Sequence, residues 1–398
     1  MENEKEYQKL VSKYKYVSDI VKEIINHCNS KKFATSDLSS MIVLLEDLEQ
    51  KGIFVEDSDI EFERKVLGLL EFEMETMSRE YEQLKNSILE LANGISNISE
   101  NKNLPILLNI LMDGIGAYNS MISRQSNFTD SMLEMSFWSI ELMDTIYATN
   151  GGMTTLLDYT LEKIQDQFPS ILNTFDEINY LDKFSTRYKI SEIYRGLVRL
   201  NFGLDQRIKS LEEMINKRQK SRNKSKAWEL YNREEVLLKI NNLRELSDFL
   251  KYEFISLIKD ILFFSKYLGI DDEHNSAINS SHETDTDSIK GSYDDLISEI
   301  ETVCEIFQNG QVHKTREIMD RIISNLDVEE FEEILGAFNL LNWLKGRVSI
   351  CLGRNLENNI EEISAICSNK QQESSSSDLD KDDERLLNHQ ETRYYDED

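Results

Sequence analysis

The chain has 398 residues but only 15 glycines and 2 prolines, far below the usual share of these two residues. Sheet-rich folds use both for hairpins and bulges, so this scarcity argues for long helices with few connections. A formal net charge of −29, from 45 Lys plus Arg against 74 Asp plus Glu, works against nucleic acid or anionic lipid as partners for the chain as a whole.

The opening residues, MENEKEYQKL, lack the basic-then-apolar layout of a secretory leader. Residues 1–150 read as an N-terminal helical bundle. A weak break is expected at Lys51-Gly52 and a clearer one from Asn101 to Pro105, where Pro105 suits a first helical turn. Thr129 is placed to cap a helix through Met132, Met135, Trp138, Met143 and Ile146 that stops at Asn150-Gly151-Gly152. Such a methionine-rich helix would be either ordinary core or an adaptable binding stripe. The three tryptophans, Trp138, Trp228 and Trp343, are expected as anchors in or near the core.

Residues 151–270 form a second helical region that Pro169 interrupts or kinks. A long helix is predicted from about Glu234 to Leu268, with Val236, Ile240, Leu243, Leu250, Leu257, Ile261 and Leu268 recurring at near-heptad spacing in one apolar stripe. Residues 271–292, rich in Ser, Asp and Glu, read as a flexible acidic linker, and 293–368 as a small C-terminal helical unit. Residues 369–398 have the composition of a disordered acidic tail. The expected fold is all-α, in antiparallel helical bundles or stacked helical hairpins. The two most apolar runs, Leu104 to Met112 and Phe254 to Phe264, fall far short of the roughly 20 residues that a membrane span needs.

A faint internal repeat aligns ILMDGIGAYNSMI (Ile110 to Ile122), EIYRGLVRLNFGL (Glu192 to Leu204) and EILGAFNLLNWLK (Glu333 to Lys345). Each carries a small residue at the fifth place (Gly114, Gly196, Ala337) and Asn at the tenth (Asn119, Asn201, Asn342). A small residue in mid-helix lets a neighbouring helix approach, and the Asn can bond a facing backbone group. Any set of amphipathic helices aligns loosely, so chance similarity competes with true duplication of a helical unit.

Site chemistry is sparse. None of the five histidines stands at metal-ligand spacing from a cysteine or another histidine on one helix, and no cofactor or metal is expected. His27 and Cys28 are adjacent, so on a helix they face different ways and make no nucleophile–base pair. The run DGIGAYNS (Asp113 to Ser120) lacks the third glycine and the Lys-Ser/Thr ending of phosphate loops. The four cysteines form no framework of spaced pairs, which points to a reducing, cytoplasmic setting.

One segment opposes the overall charge. Lys217, Arg218, Lys220, Arg222, Lys224 and Lys226 place six cations in ten residues. They form either a solvated helix end or a docking site for an acidic partner, an anionic surface or the chain's own tail. The expected function is a non-enzymatic helical interaction protein: an adaptor, scaffold or chaperone-like binder of a protein client. The alternative is a regulatory component in which residues 217–226 and the acidic Ser-rich tail act as an electrostatic switch.

Overall fold

The computed structural model describes residues 5, 35–52, 60–124, 132–147, 154–178, 181, 189–220, 233–270 and 293–374. It is all-α. Among these residues no strand occurs, and the one isolated bridge joins Tyr147 to Thr155.

Helix α1 (Thr35–Gln50) buries Leu38, Met41, Leu45 and Leu48 along one face and stops before Gly52, whose φ of 63° is the left-handed conformation that ends helices. That face packs on α2 (Ile60–Glu71) through Phe62, Val66, Leu69 and Leu70. Helix α2 continues without a break through a π-helical turn, Phe72–Met77, into α3 (Ser78–Ser99). The wider turn rotates the apolar stripe between α2 and α3. Asn101 then opens α4 (Leu104–Ser123): its Oδ1 accepts from the N–H groups of Asn103 and Leu104 at 2.9 and 3.0 Å, and Pro105 lies in the first turn as expected.

After a non-helical stretch containing the single turn α5 (Ser139–Leu142), α6 (Leu156–Gln167) starts at Thr155, whose hydroxyl accepts from the Asp158 N–H at 3.1 Å. Pro169 interrupts the path and begins the short α7 (Pro169–Leu172), followed by α8 (Thr174–Glu177). Two long helices come next, α9 (Ile190–Lys220) and α10 (Arg233–Leu268), the latter closed by Gly269 at φ 74°. The chain then forms α11 (Tyr293–Gln308), α12 (Val312–Asn325) and α13 (Val328–Ser374).

Helix α10 is the axis of the fold. The seven stripe positions from Val236 to Leu268 are all buried, but so are Phe254, Ile255, Ile258, Leu262 and Phe264, so its second half is enclosed on more than one side. It contacts α3, α4, α9, α11, α12 and α13. Helices α3 and α10 run in the same direction: Glu73, in the turn before α3, meets Lys239, and past its other end the Tyr267 hydroxyl donates to the Asn101 carbonyl at 2.6 Å. Helix α9 runs opposite to α3, pairing Gly203 with Phe72 and Gly196 with Leu84. Helices α11 to α13 cover residues expected as a small C-terminal unit, and they pack on α10, α9 and α6 within the same hydrophobic core. The linker at 271–292 and the residues beyond 374 lie outside the described residues, and α13 continues past the expected boundary at 368.

Candidate functional site

The methionine-rich helix expected through Met132 to Ile146 does not form. Residues 132–147 make a strap of bends and turns with α5 as its sole helical turn, and Thr129 lies outside the described residues. The reason is where the backbone finds its partners. Asn119, buried on α4, donates from Nδ2 to the Leu133 carbonyl at 2.7 Å and accepts the Leu133 N–H on Oδ1 at 2.8 Å. Further along, the Leu157 N–H donates to the Met143 carbonyl at 3.2 Å and the Leu156 N–H to the Ile146 carbonyl at 2.6 Å. Tertiary hydrogen bonds thus hold the two ends of the strap, while residues 136–145 keep only tight three-residue turns in place of a continuous helical ladder.

Side chains fix the rest of the strap. Met135 lies over Gly116, where a Cβ would be 3.7 Å from its Cε, and Met143 is fully buried beside Gly114. Trp138, half-buried, packs edge-on against Phe137 at 5.2 Å and reaches Gly336 on α13. Arg347 on α13 donates from Nη2 to Asp144 at 2.5 Å and to Asp158 at 2.8 Å, tying α13, the strap and α6 together. Of the expected methionine stripe, Met143 is core, whereas Met132 and Met135 stand 43 % and 52 % exposed. Trp343 is half-buried and Trp228 lies outside the described residues.

The three repeat positions all sit within helices. A Cβ on Gly114 would lie 3.2 Å from Thr160 Oγ1, and one on Gly196 would lie 2.8 Å from Leu84 Cδ2, so both glycines mark close approaches. Ala337 is fully buried. Their Asn partners differ. Asn119 bonds backbone, Asn201 accepts from the Ser247 hydroxyl across to α10, and Asn342 is half-buried with neither arrangement.

A groove of about 200 Å³ runs between α3 and α9. Glu80, Gln83, Leu84 and Ser87 share one face of α3, while Lys189, Glu192, Ile193, Gly196 and Arg199 line the other wall. Because Gly196 has no side chain, Leu84 reaches the α9 backbone at the groove floor. Gly196 is a position of the sequence repeat, but the groove has no mark in the sequence, because its walls are more than 100 residues apart in the chain.

A third feature is a band of ion pairs joining α9, α10 and α12. Arg316 grips the buried Asp248 with Nη2 at 2.6 Å and Nε at 3.0 Å, Lys251 meets Asp320 at 2.6 Å, and Arg244 forms a two-pronged pair with Glu212 at 2.7 and 2.9 Å. Asp205 stands among these charges, and burial raises its pKa against the lowering effect of Lys251. Burial likewise raises Asp260 and Glu253 on α10, and the thiol of Cys304. Each shift is led by burial, which disfavours the charged form.

Among the described residues, no group of three or more His, Cys, Asp or Glu is placed to hold a metal ion, and no helix is long and apolar enough to cross a membrane. Of the basic segment, Lys217 is exposed near the end of α9; Arg218 and Lys220 continue that helix, and Arg222, Lys224 and Lys226 lie outside the described residues. No protein-family model matches the chain, and no curated protein is similar to it.

Proposed function

We propose that this chain is a non-enzymatic helical interaction protein, an adaptor or chaperone-like binder that holds a protein client against the strap of residues 132–147. One observation carries the reading: Met132 and Met135 are about half exposed on a non-helical segment held from both sides by α4 and α13. Binding surfaces favour irregular segments on a rigid frame, and the unbranched thioether repacks against varied apolar partners. The net charge of −29 favours a client with a basic or neutral rim around its apolar contact. Cys304 and Cys351 are buried thiols outside any disulfide among the described residues, which suits a reducing compartment such as the cytoplasm.

The test is site-specific photo-crosslinking in the native host. A benzophenone side chain at position 132 or 135 is expected to give one discrete adduct, absent when the probe stands at the exposed Glu301 on the far helix α11. The double variant Met132→Lys/Met135→Lys should abolish client recovery at unchanged thermal stability. Equal adducts at all three positions, or none at 132 and 135, would overturn the reading.

A further inference from the structure

We propose that the groove between α3 and α9 binds a primary ammonium group carried on a short alkyl stem. The groove is small: at about 200 Å³ it falls below the roughly 300–1,000 Å³ of sites for drug-sized molecules, so it suits a ligand the size of one side chain. Its chemistry is divided. Leu84 and Ile193 provide apolar wall on opposite helices, and Gly196 leaves the floor between them without a side chain.

At one end stands Glu80. Its side chain is 16 % exposed, and its Oε2 is buried yet accepts no hydrogen bond among the described residues. Arg199 forms a loose ion pair with that oxygen: its Nη2 lies 3.3 Å away without hydrogen-bond alignment, and its side chain is 73 % exposed. A carboxylate oxygen removed from water without a donor is costly, and a charge-assisted hydrogen bond relieves that cost. A ligand ammonium has three donors on a compact head and can enter where the planar Arg199 guanidinium has not closed. On the opposite wall the charges of Glu192 and Lys189 offset each other, so selection rests on Glu80, and the net charge of the chain draws cations toward the groove.

The geometry carries an unusual corollary. Arg199 is the internal competitor for Glu80, so removing it should strengthen ligand binding even though it lines the groove.

The ammonium can come from a free amine or from a lysine side chain of a protein. Two probes separate these sources: n-butylammonium chloride, and Nα-acetyl-lysine N-methylamide. Each is titrated into the full chain while the methyl resonances of Leu84 and Ile193 are followed by NMR at physiological salt. Saturable shifts at both methyls are expected, with Glu80→Gln weakening binding by about tenfold or more. Arg199→Ala should tighten it by about two- to fivefold. Tighter binding of the lysine amide assigns the ligand to a protein side chain, and tighter binding of butylammonium assigns it to a free amine. Shifts that persist unchanged in Glu80→Gln would reveal unspecific attraction to an acidic surface and overturn the proposal. So would the absence of shifts in the wild-type chain, or weaker binding in Arg199→Ala. Glu80→Gln conserves the shape of the side chain, and an unchanged melting temperature verifies that the variant is folded.

Discussion

Asn119 on α4 and Leu133 in the strap exchange two hydrogen bonds, side-chain amide to backbone, at 2.7 and 2.8 Å. This contact does for the strap what one rung of a ladder does for a strand, and it does so next to both exposed methionines. Asn119→Ala would leave the N–H and C=O of Leu133 without these partners, at a cost of about 1–3 kcal/mol. Asn119→Asp keeps the acceptor and loses the donor, so it should fall between Ala and the wild type. Chemical denaturation measures the stability change, and amide exchange at Leu133 should accelerate in both variants.

The close approach at Gly196 gives a second prediction. Gly196→Ala would put a methyl carbon 2.8 Å from Leu84 Cδ2, so the leucine must move, and a cost of about 1 kcal/mol or more is expected from overpacking. Combined with Leu84→Ala, the added penalty should vanish, giving a coupling of about 1 kcal/mol in a double-mutant cycle. Gly346 is the contrast: nothing lies within 4 Å of its virtual Cβ on α13, and Gly346→Ala should stabilise by about 0.5–1 kcal/mol.

The grip of Arg316 on Asp248 gives a third. Asp248 is 1 % exposed, so Arg316→Met strands its carboxylate and should cost about 3 kcal/mol. Replacing both, as Arg316→Met/Asp248→Leu, removes the stranded charge and should recover most of that loss. A double variant as unstable as the single one would mean that the pair positions α12 on α10 by more than its charges.

Stability should also depend on pH in a definite direction. Asp205, Glu253 and Asp260 all have pKa values raised by burial. Between the ordinary carboxylate pKa and the raised one, the folded chain binds more protons than the unfolded chain, so stability falls as pH rises through that window. The melting temperature should therefore climb as the pH is lowered from neutral toward the ordinary carboxylate range, before general acid unfolding sets in. Asp260→Asn should raise stability at neutral pH and flatten the climb. A melting temperature that falls steadily from pH 7 downward in the wild type would contradict this.

The helical fold was legible because its signals are local. Scarce Gly and Pro, the stop at Gly52, the start at Pro105, the break at Pro169 and the apolar spacing from Val236 to Leu268 each fall where the structure has the matching feature. What stayed hidden depends on distant partners. Met132, Met135 and Met143 keep a spacing compatible with a helix, yet Asn119 claims the backbone at Leu133 and α6 claims the carbonyls of Met143 and Ile146. The π turn at Phe72–Met77 leaves no compositional mark, and its accommodation by Gly203 lies in another helix. Arg347 meets Asp144 and Asp158 across 203 and 189 residues, and no single-sequence pattern connects positions so far apart. The groove at Glu80 and Arg199 was invisible for the same reason.

The central place of α10 also sets a timetable for synthesis. Helix α3 leaves the ribosome early, but its buried face rests on α9 and α10, and the last residue of α10 is Leu268. At about 5–20 residues per second, Ile88, Leu91 and Ile95 on α3 wait on the order of ten seconds or longer with no axis to cover them. Truncation before residue 268 turns this transient exposure of α3 into a permanent one.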